Sequence, residues 1–298
     1  MVQSALLLID KPAGFTSHDV VAKCRKILGT RKIGHAGTLD PMATGLLVLG
    51  VEAGTKLLTF IVGNDKTYKA TIRLGQSTVT DDAEGEVIGR ANEKDLAEIS
   101  EAQIIETLKN FLGKIQQVPS SVSAIKVSGE RAYDLVRAGA EVSLKSREVE
   151  ISEFSLIAPI RKTMDHIDFD VTVDCSSGTY IRALARDIGK QLGVGGHLTA
   201  LRRTRIGKFD VSDSQNFEEI SVAPKFLSML TAISSLMPVV EISNEQETWL
   251  RQGKRFDIQI GQVSAAARDS RIVAIVEPYQ NSKVKSLVVF QEDNNGSN

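Results

Sequence analysis

The sequence predicts an α+β chain that carries a small strand-rich domain at its C-terminal end. Residues 67–74 and 166–175 alternate polar and apolar side chains with a period of two, the pattern of strands with one buried face. Around them lie apolar stripes of helical spacing, bounded by capping residues. After Met237-Pro238 the pattern shifts to short apolar runs at 239–242, 271–276 and 286–291. A domain boundary is therefore expected between residues 1–237 and 238–298, with a frayed tail at 294–298.

Taken in order, residues 6–10 read as a short buried strand, closed by the turn Lys11-Pro12-Ala13-Gly14. A helix follows with Ser17 as its expected N-cap. Val20, Val21, Cys24, Ile27 and Leu28 share one face, and Gly29 stands where a left-handed C-terminal glycine belongs. In 67–74 the apolar face holds Tyr68, Ala70, Ile72 and Leu74; in 166–175 it holds Ile167, Phe169, Val171, Val173 and Cys175, leaving His166 on the wet face. Ser100 and Gln103 form a capping box ahead of Ile104, Ile105 and Leu108. Residues 180–192 read as a helix that buries Ile181, Leu184, Ile188 and Leu192, with Arg182, Arg186 and Lys190 on another face.

Of the 298 residues, 42% are hydrophobic and 24% charged, which excludes a disordered chain, a collagen-like fibre and a disulfide scaffold. The 36 Lys and Arg against 37 Asp and Glu give a net charge of −1, but the charge is segregated. Residues 81–106 hold nine carboxylates against Arg90 and Lys94, a local −7; residues 178–208 hold seven cations against Asp187, a local +6. Two distant cysteines and four histidines without metal-ligand spacing argue against a zinc site, so no metal is expected. No apolar run approaches the ~20 residues of a membrane span, and the N-terminus lacks the basic segment of a signal peptide. A soluble cytoplasmic protein is expected.

The densest group of chemistry-bearing residues is Gly34-His35-Ala36-Gly37-Thr38-Leu39-Asp40-Pro41-Met42-Ala43-Thr44-Gly45. Pro41 pushes the residue before it toward extended conformations, and the glycines permit a tight loop and close ligand approach. Such a loop holds the Asp40 carboxylate on a rigid platform; equally, it is a turn in which Asp40 caps a neighbouring backbone group. Other schemes fit poorly. There is no GxSxG elbow and no Walker A sequence, and both cysteines lie on apolar faces.

Together these residues resemble the TruB-type pseudouridine synthases. The likeness runs in order through Lys11-Pro12-x-Gly14-x-Thr16-Ser17, the 34–45 loop, Lys66-x-Tyr68 and Leu74-Gly75-x-x-Thr78-x-Thr80-x-Asp82. It continues through Ser123-Ala124-x-Lys126, Cys175-Ser176-x-Gly178-Thr179-Tyr180-Ile181-Arg182 and Leu201-Arg202-Arg203. One departure falls at residues 117–122, where Ser120 and Val122 stand in place of the family's frequent second proline and aromatic residue.

The resemblance implies a mixed, mainly antiparallel sheet flanked by helices over residues 1–237, with a PUA-like RNA-binding domain at 238–298. It implies isomerisation of the uridine at position 55 in the TΨC loop of tRNA. Asp40 would be the essential carboxylate, acting as nucleophile at C1′ or base at C2′; its ordinary pKa of about 3.9 keeps such a group ionised at neutral pH. Arg182 would pair with that carboxylate. Tyr68 would stack on the flipped uracil, His35 would fill the space it leaves, and Leu201 would form an apolar pocket wall. Lys126, Arg202 and Arg203 would grip RNA, within a segment at 119–147 that closes over the T-loop and a basic strip beside it. Lys11 and Lys56 would be structural or phosphate-facing. No cofactor is implied, the tRNA T-arm is the partner, and the chain is expected to act as a monomer without a protein partner. Three rivals stand beside this reading: a non-catalytic RNA-binding protein, a carboxylate glycosidase and a guide-dependent rRNA-modifying relative.

Overall fold

The run Leu6-Leu7-Leu8-Ile9 is apolar at every position because its strand is covered on both faces, as a central sheet strand must be. The computed structural model describes residues 2–120, 126–127, 130–131, 145–280 and 282–291. They fall into two compact units. One comprises residues 1–41, 45–63 and 206–298, and the other residues 42–44 and 64–205.

In the first unit, β1 (Ala5–Lys11) pairs antiparallel with β3 (Thr44–Val51), from Ala5 opposite Val51 to Lys11 opposite Gly45. On its other edge it meets Gln215–Asn216 in parallel and Phe226–Ser228 antiparallel. The short strand β2 (Ile33–His35) lies along β3, with His35 opposite Leu49. Leu7 and Ile9 face α1 (Ser17–Leu28), where they pack with Val20, Val21 and Cys24. Leu6 and Leu8 face the opposite side and pack with Leu46, Val48, Ile61 and Phe209.

Helix α1 starts one residue earlier than its sequence suggests. Thr16, not Ser17, is the N-cap, because Asp19 completes a capping box with it. Ser17 thereby becomes the first helical residue, and its hydroxyl is used elsewhere. The predicted Gly29 terminus is present, with φ of 66°.

The C-terminal residues of this unit form a five-stranded sheet in the order Val239–Glu241, Ser264–Arg268, Arg271–Tyr279, Lys283–Val289, Phe256–Asp257. The expected strands are there, but a strand-only reading missed the helix Asn244–Arg251, capped by Ser243 and Gln246. That helix buries Glu247 against Arg251 and Arg268, at 2.6 and 2.7 Å. Leu57, Ile233, Ala265, Ile272, Ile275 and Phe290 share one core cluster, so this sheet packs on the N-terminal part of the same unit.

The second unit is built on the antiparallel pair β4 (Lys66–Leu74) and β5 (Ile167–Cys175), matched over nine positions from Lys66 opposite Cys175 to Leu74 opposite Ile167. The predicted apolar faces meet directly: Tyr68 opposes Val173, Ala70 opposes Val171 and Ile72 opposes Phe169. The alternating carboxylates of β5 also have partners. Arg73 grips Asp168 with two bonds of 2.8 and 2.7 Å, Thr71 donates to Asp170 at 2.6 Å, and Arg205 stands 3.3 Å from Asp174. Arg147–Leu156 and Gly113–Gln117 extend the sheet beyond β5, and Gly196–Ile206 lies beside β4. The helix Ile181–Gln191 buries Ile181, Leu184 and Ile188 as its spacing predicts, but Leu192, just past its end, is half-buried, and Arg182, expected on another face, is buried. Gly189 lets that helix meet the following chain, since a Cβ there would lie 2.2 Å from the Gly195 carbonyl carbon.

Candidate active site

In the first unit, residues 11–19 hold the backbone on both sides of Asp40. Ser17 Oγ accepts the Leu39 N–H at 2.8 Å and donates to the Leu39 carbonyl at 3.2 Å. On the far side, the Pro41 carbonyl accepts the Gly14 N–H at 2.9 Å and Lys11 Nζ at 3.3 Å. Lys11 is fully buried and also donates to the carbonyls of Pro12 and Phe15, at 2.9 and 2.6 Å. Of the two expectations for Lys11, the structural one holds, since a side chain at 0% exposure presents no charge to a phosphate. Lys56 is exposed, and it donates to the Val289 carbonyl at 2.9 Å beside the Phe290 ring.

Buried Ala36, Leu39 and Ala43 root the loop, which leaves Asp40 half-buried on a fixed backbone. His35 is half-buried at the end of β2, and its ring meets that of His18 edge-on, with centroids 5.5 Å apart and planes at 81°. The carboxylate, the imidazole and the segment that fixes them belong to one unit.

The second unit carries Tyr68, Arg182, Leu201, Arg202 and Arg203. Tyr68 is on the buried face of β4 at 7% exposure, and Leu201 is buried on the neighbouring strand. Arg182, in the first turn of its helix, donates to the Thr80 carbonyl at 2.9 Å and stands 3.3 Å from Asp82. One turn later Arg186 stands 3.1 Å from Asp81 and 2.9 Å from Asp187, and donates to the Val118 carbonyl at 2.8 Å. Asp81 also accepts the Ser120 hydroxyl at 2.6 Å; burial raises its pKa, against the pull of Ser120 and Arg186.

The strip expected from the sequence is therefore not an open row of cations. Arg203 is 1% exposed, out of reach of a surface phosphate, whereas Arg202 is half-buried with one nitrogen 3.4 Å from Thr44 Oγ1. Two carboxylates of the acidic segment are bonded to two arginines of the basic one, so the opposed charges are in part joined in pairs. The sequence showed the charges but not their pairing, because the contacts span about a hundred residues. Asp82 was visible only as the last member of a motif, with no role attached.

Lys66, two residues before Tyr68 on the same face, is a further buried group. Its Nζ donates to the Asn64 carbonyl at 2.7 Å and to Ser177 Oγ at 3.2 Å, tying β4 to the turn that precedes the Arg182 helix. Burial, with Arg203 nearby, lowers its pKa to about 8. Cys24 and Cys175 are free and buried, and burial pushes both thiols up to about 11, so neither supplies a thiolate at neutral pH. No cluster of metal-ligating side chains occurs among the described residues. Lys126 lies in a two-residue strand, Lys126–Val127, paired with Glu130–Arg131. Most of the expected 119–147 segment lies outside the described residues, as does the 294–298 tail.

The first unit thus fixes a carboxylate on a glycine-bounded loop, and the second unit, taken by itself, fixes a buried tyrosine and a paired guanidinium. Comparison with known proteins decides the family. The profile described as TruB family pseudouridylate synthase (N terminal domain) matches residues 25–181, and that of the tRNA pseudouridylate synthase B C-terminal domain matches residues 182–239. The chain belongs to the TruB family. It is accordingly a pseudouridylate synthase, an isomerase. A tRNA pseudouridine synthase B of Leifsonia xyli subsp. xyli is 50% identical over 299 residues, covering 98% of each chain. One of Arthrobacter sp. (strain FB24) is 48% identical over 303 residues, again covering 98% of each.

Among solved structures, a chain of an H/ACA RNP bound to a substrate RNA containing 2′-deoxyuridine aligns with TM-score 0.70 at 23% identity, covering 96% of this chain and 85% of that one. A chain of the archaeal box H/ACA sRNP Nop10-Cbf5 complex aligns with TM-score 0.68 at 22% identity, covering 97% and 86%. At those identities the likeness shows the fold. The mixed α+β architecture of the TruB chain and its C-terminal sheet agree with it.

Proposed function

We propose that the chain converts the uridine at position 55 of the tRNA TΨC loop to pseudouridine. The observation that carries the reading is the double clamp on the Asp40 loop, which fixes the backbone at Leu39 and Pro41. A carboxylate so held loses little freedom when it meets a ribose, and positioning of that kind accounts for a large share of a catalysed barrier. The relatives named as tRNA pseudouridine synthases, alike over nearly their full length, support tRNA as the substrate.

In this reading the target nucleotide leaves the T-loop stack at a cost of a few kcal/mol. His35, steadied edge-on by His18, fills the vacated space, and Tyr68 stacks on the extruded uracil against the Leu201 wall. The Asp40 carboxylate attacks C1′ or removes a proton from C2′. The N1–C1′ bond breaks, the uracil turns, and C5 bonds to C1′. C5 then gives up its proton while N1 gains one, so substrate and product are isomers and the reaction calls for no cofactor. Arg182, held by Asp82 and Thr80, serves as the cation that orients the catalytic carboxylate.

Residues 238–298 act in this reading as a PUA-like RNA-binding domain, and Lys126 and Arg202 as RNA contacts. The chain works in the cytoplasm as a monomer without a protein partner. The test is tritium release by the purified chain from unmodified tRNA carrying 5-tritiated uridine, with the product mapped by carbodiimide. One mole of release per mole of tRNA, at position 55 and with RNA mass otherwise conserved, is expected. Free uracil, reaction at another site, or a requirement for a guide RNA would overturn it.

A further inference from the structure

At the C-terminal end of α1 lies a group of cations that the reaction does not use. Lys23, Arg25, Lys26, Arg31 and Lys32 follow one another along α1 and the turn after it, with no acidic residue from Val20 to Leu39. In a chain of net charge −1 this is a local concentration. An open groove of about 490 Å³ lies at this end of α1, lined by Ala22, Arg25, Lys26, Gly29, Thr30 and Arg31. Three of its six lining residues are cations and none is an anion.

Helix capping accounts for part of this. Arg25 and Lys26 stand in the last turn of α1, where cations offset the negative end of the helix dipole. That reason does not extend to Arg31 and Lys32, which lie beyond the left-handed Gly29. Lys32 is 3.5 Å from Glu52, but among the described residues neither Lys26 nor Arg31 forms an ion pair. Arg25 is fixed by donating to the Ile33 carbonyl at 2.8 Å and retains further N–H donors. The groove thus combines one anchored guanidinium with two exposed cations that form no ion pair among the described residues, while Thr30 in its lining donates to Glu52.

We propose that this groove binds phosphodiester groups of the RNA backbone. The inference rests on the pseudouridylation reading. Arg31 suits a bidentate contact with a phosphate and Lys26 a point-charge contact.

The test is the double variant Lys26→Gln/Arg31→Gln, with Lys26→Arg/Arg31→Lys as the charge-keeping control. Both alter exposed residues, and thermal melts check that they fold as the parent does. Affinity is measured against salt for unmodified tRNA and for an isolated T-arm stem-loop. The glutamine variant is expected to bind both RNAs roughly tenfold more weakly at low salt and to flatten the log–log salt slope by about 1.5, the sum for two phosphate contacts. Turnover at saturating RNA stays at the parent rate, and the control keeps the parent slope. Unchanged affinity and slope would overturn the site, as would reduced turnover at unchanged affinity. A loss confined to full-length tRNA would support the phosphate contact and place it on RNA outside the T-arm. If the parent itself releases no tritium from tRNA, the pseudouridylation reading fails, while the salt slopes still decide whether the groove holds phosphate.

Discussion

Arg182 Nη1 stands 3.3 Å from Asp82 Oδ2, and both side chains are under a tenth exposed. One helical turn on, Arg186 repeats the arrangement with Asp81, so two consecutive carboxylates hold two arginines of one helix. Removing one partner of a buried pair leaves an uncompensated charge, at a cost of about 3–5 kcal/mol. Asp82→Ala is expected to lower the unfolding free energy by that amount in urea titrations. Its milder counterpart, Asp82→Asn, keeps the shape and is expected to slow tritium release while tRNA affinity stays near the parent's. Parent stability in the alanine variant would show that the pair holds nothing in place.

Ser17 offers a second check, because its hydroxyl both donates to and accepts from Leu39. Ser17→Ala leaves a buried N–H without its partner, worth about 1–3 kcal/mol. With one side of the Asp40 loop loosened, kcat is expected to fall by more than KM rises. A change in KM alone would mean that the clamp does not position the carboxylate.

Lys66 makes stability depend on pH with a definite sign. Its pKa falls from 10.5 to about 8 on folding, so the unfolded chain binds the proton more tightly. Between pH 8 and 10.5 the unfolded state keeps a proton that the folded state has lost, and this group's contribution to stability rises with pH. Below pH 8 the full penalty of a buried ammonium applies. Lys66→Met is expected to flatten the rise, seen as the difference between parent and variant in urea titrations from pH 7 to 10.5. A parallel pair of curves would contradict the burial argument.

Arg202 and Arg203 should separate cleanly despite being neighbours. Arg203 is buried, so Arg203→Ala is expected to lower the melting temperature by several degrees. Arg202 is partly exposed, and Arg202→Ala is expected to melt near the parent and to raise KM for tRNA. The reverse pattern would restore the pair to the role their shared basic run suggests.

What the chain discloses before folding, and what it withholds, follows from the range of each interaction. The period of two in β4 and β5 and the apolar stripe of α1 are local, and the structure keeps them nearly residue for residue. Ser17 was misread because two hydroxyls and one Asp19 compete for a cap, and Leu39, 22 residues away, claims the loser. The basic run at 178–208 suggested an open strip, since nothing nearby indicates that Asp81 and Asp82 return to neutralise it. The helix Asn244–Arg251 was hidden by its polar composition; its Ser243–Gln246 box was the available signal. Asp40 stood out because proline and glycine constrain the backbone locally, whereas the clamps that fix it come from residues 11–17.

The central claim, that the Asp40 carboxylate carries the reaction, is tested most directly by Asp40→Asn. The amide keeps the size and hydrogen-bonding reach of the side chain but removes its charge. Measured side by side on unmodified tRNA containing 5-tritiated uridine, the variant is expected to bind with the parent's affinity and to release no tritium above background. Release at the parent's rate would contradict the account.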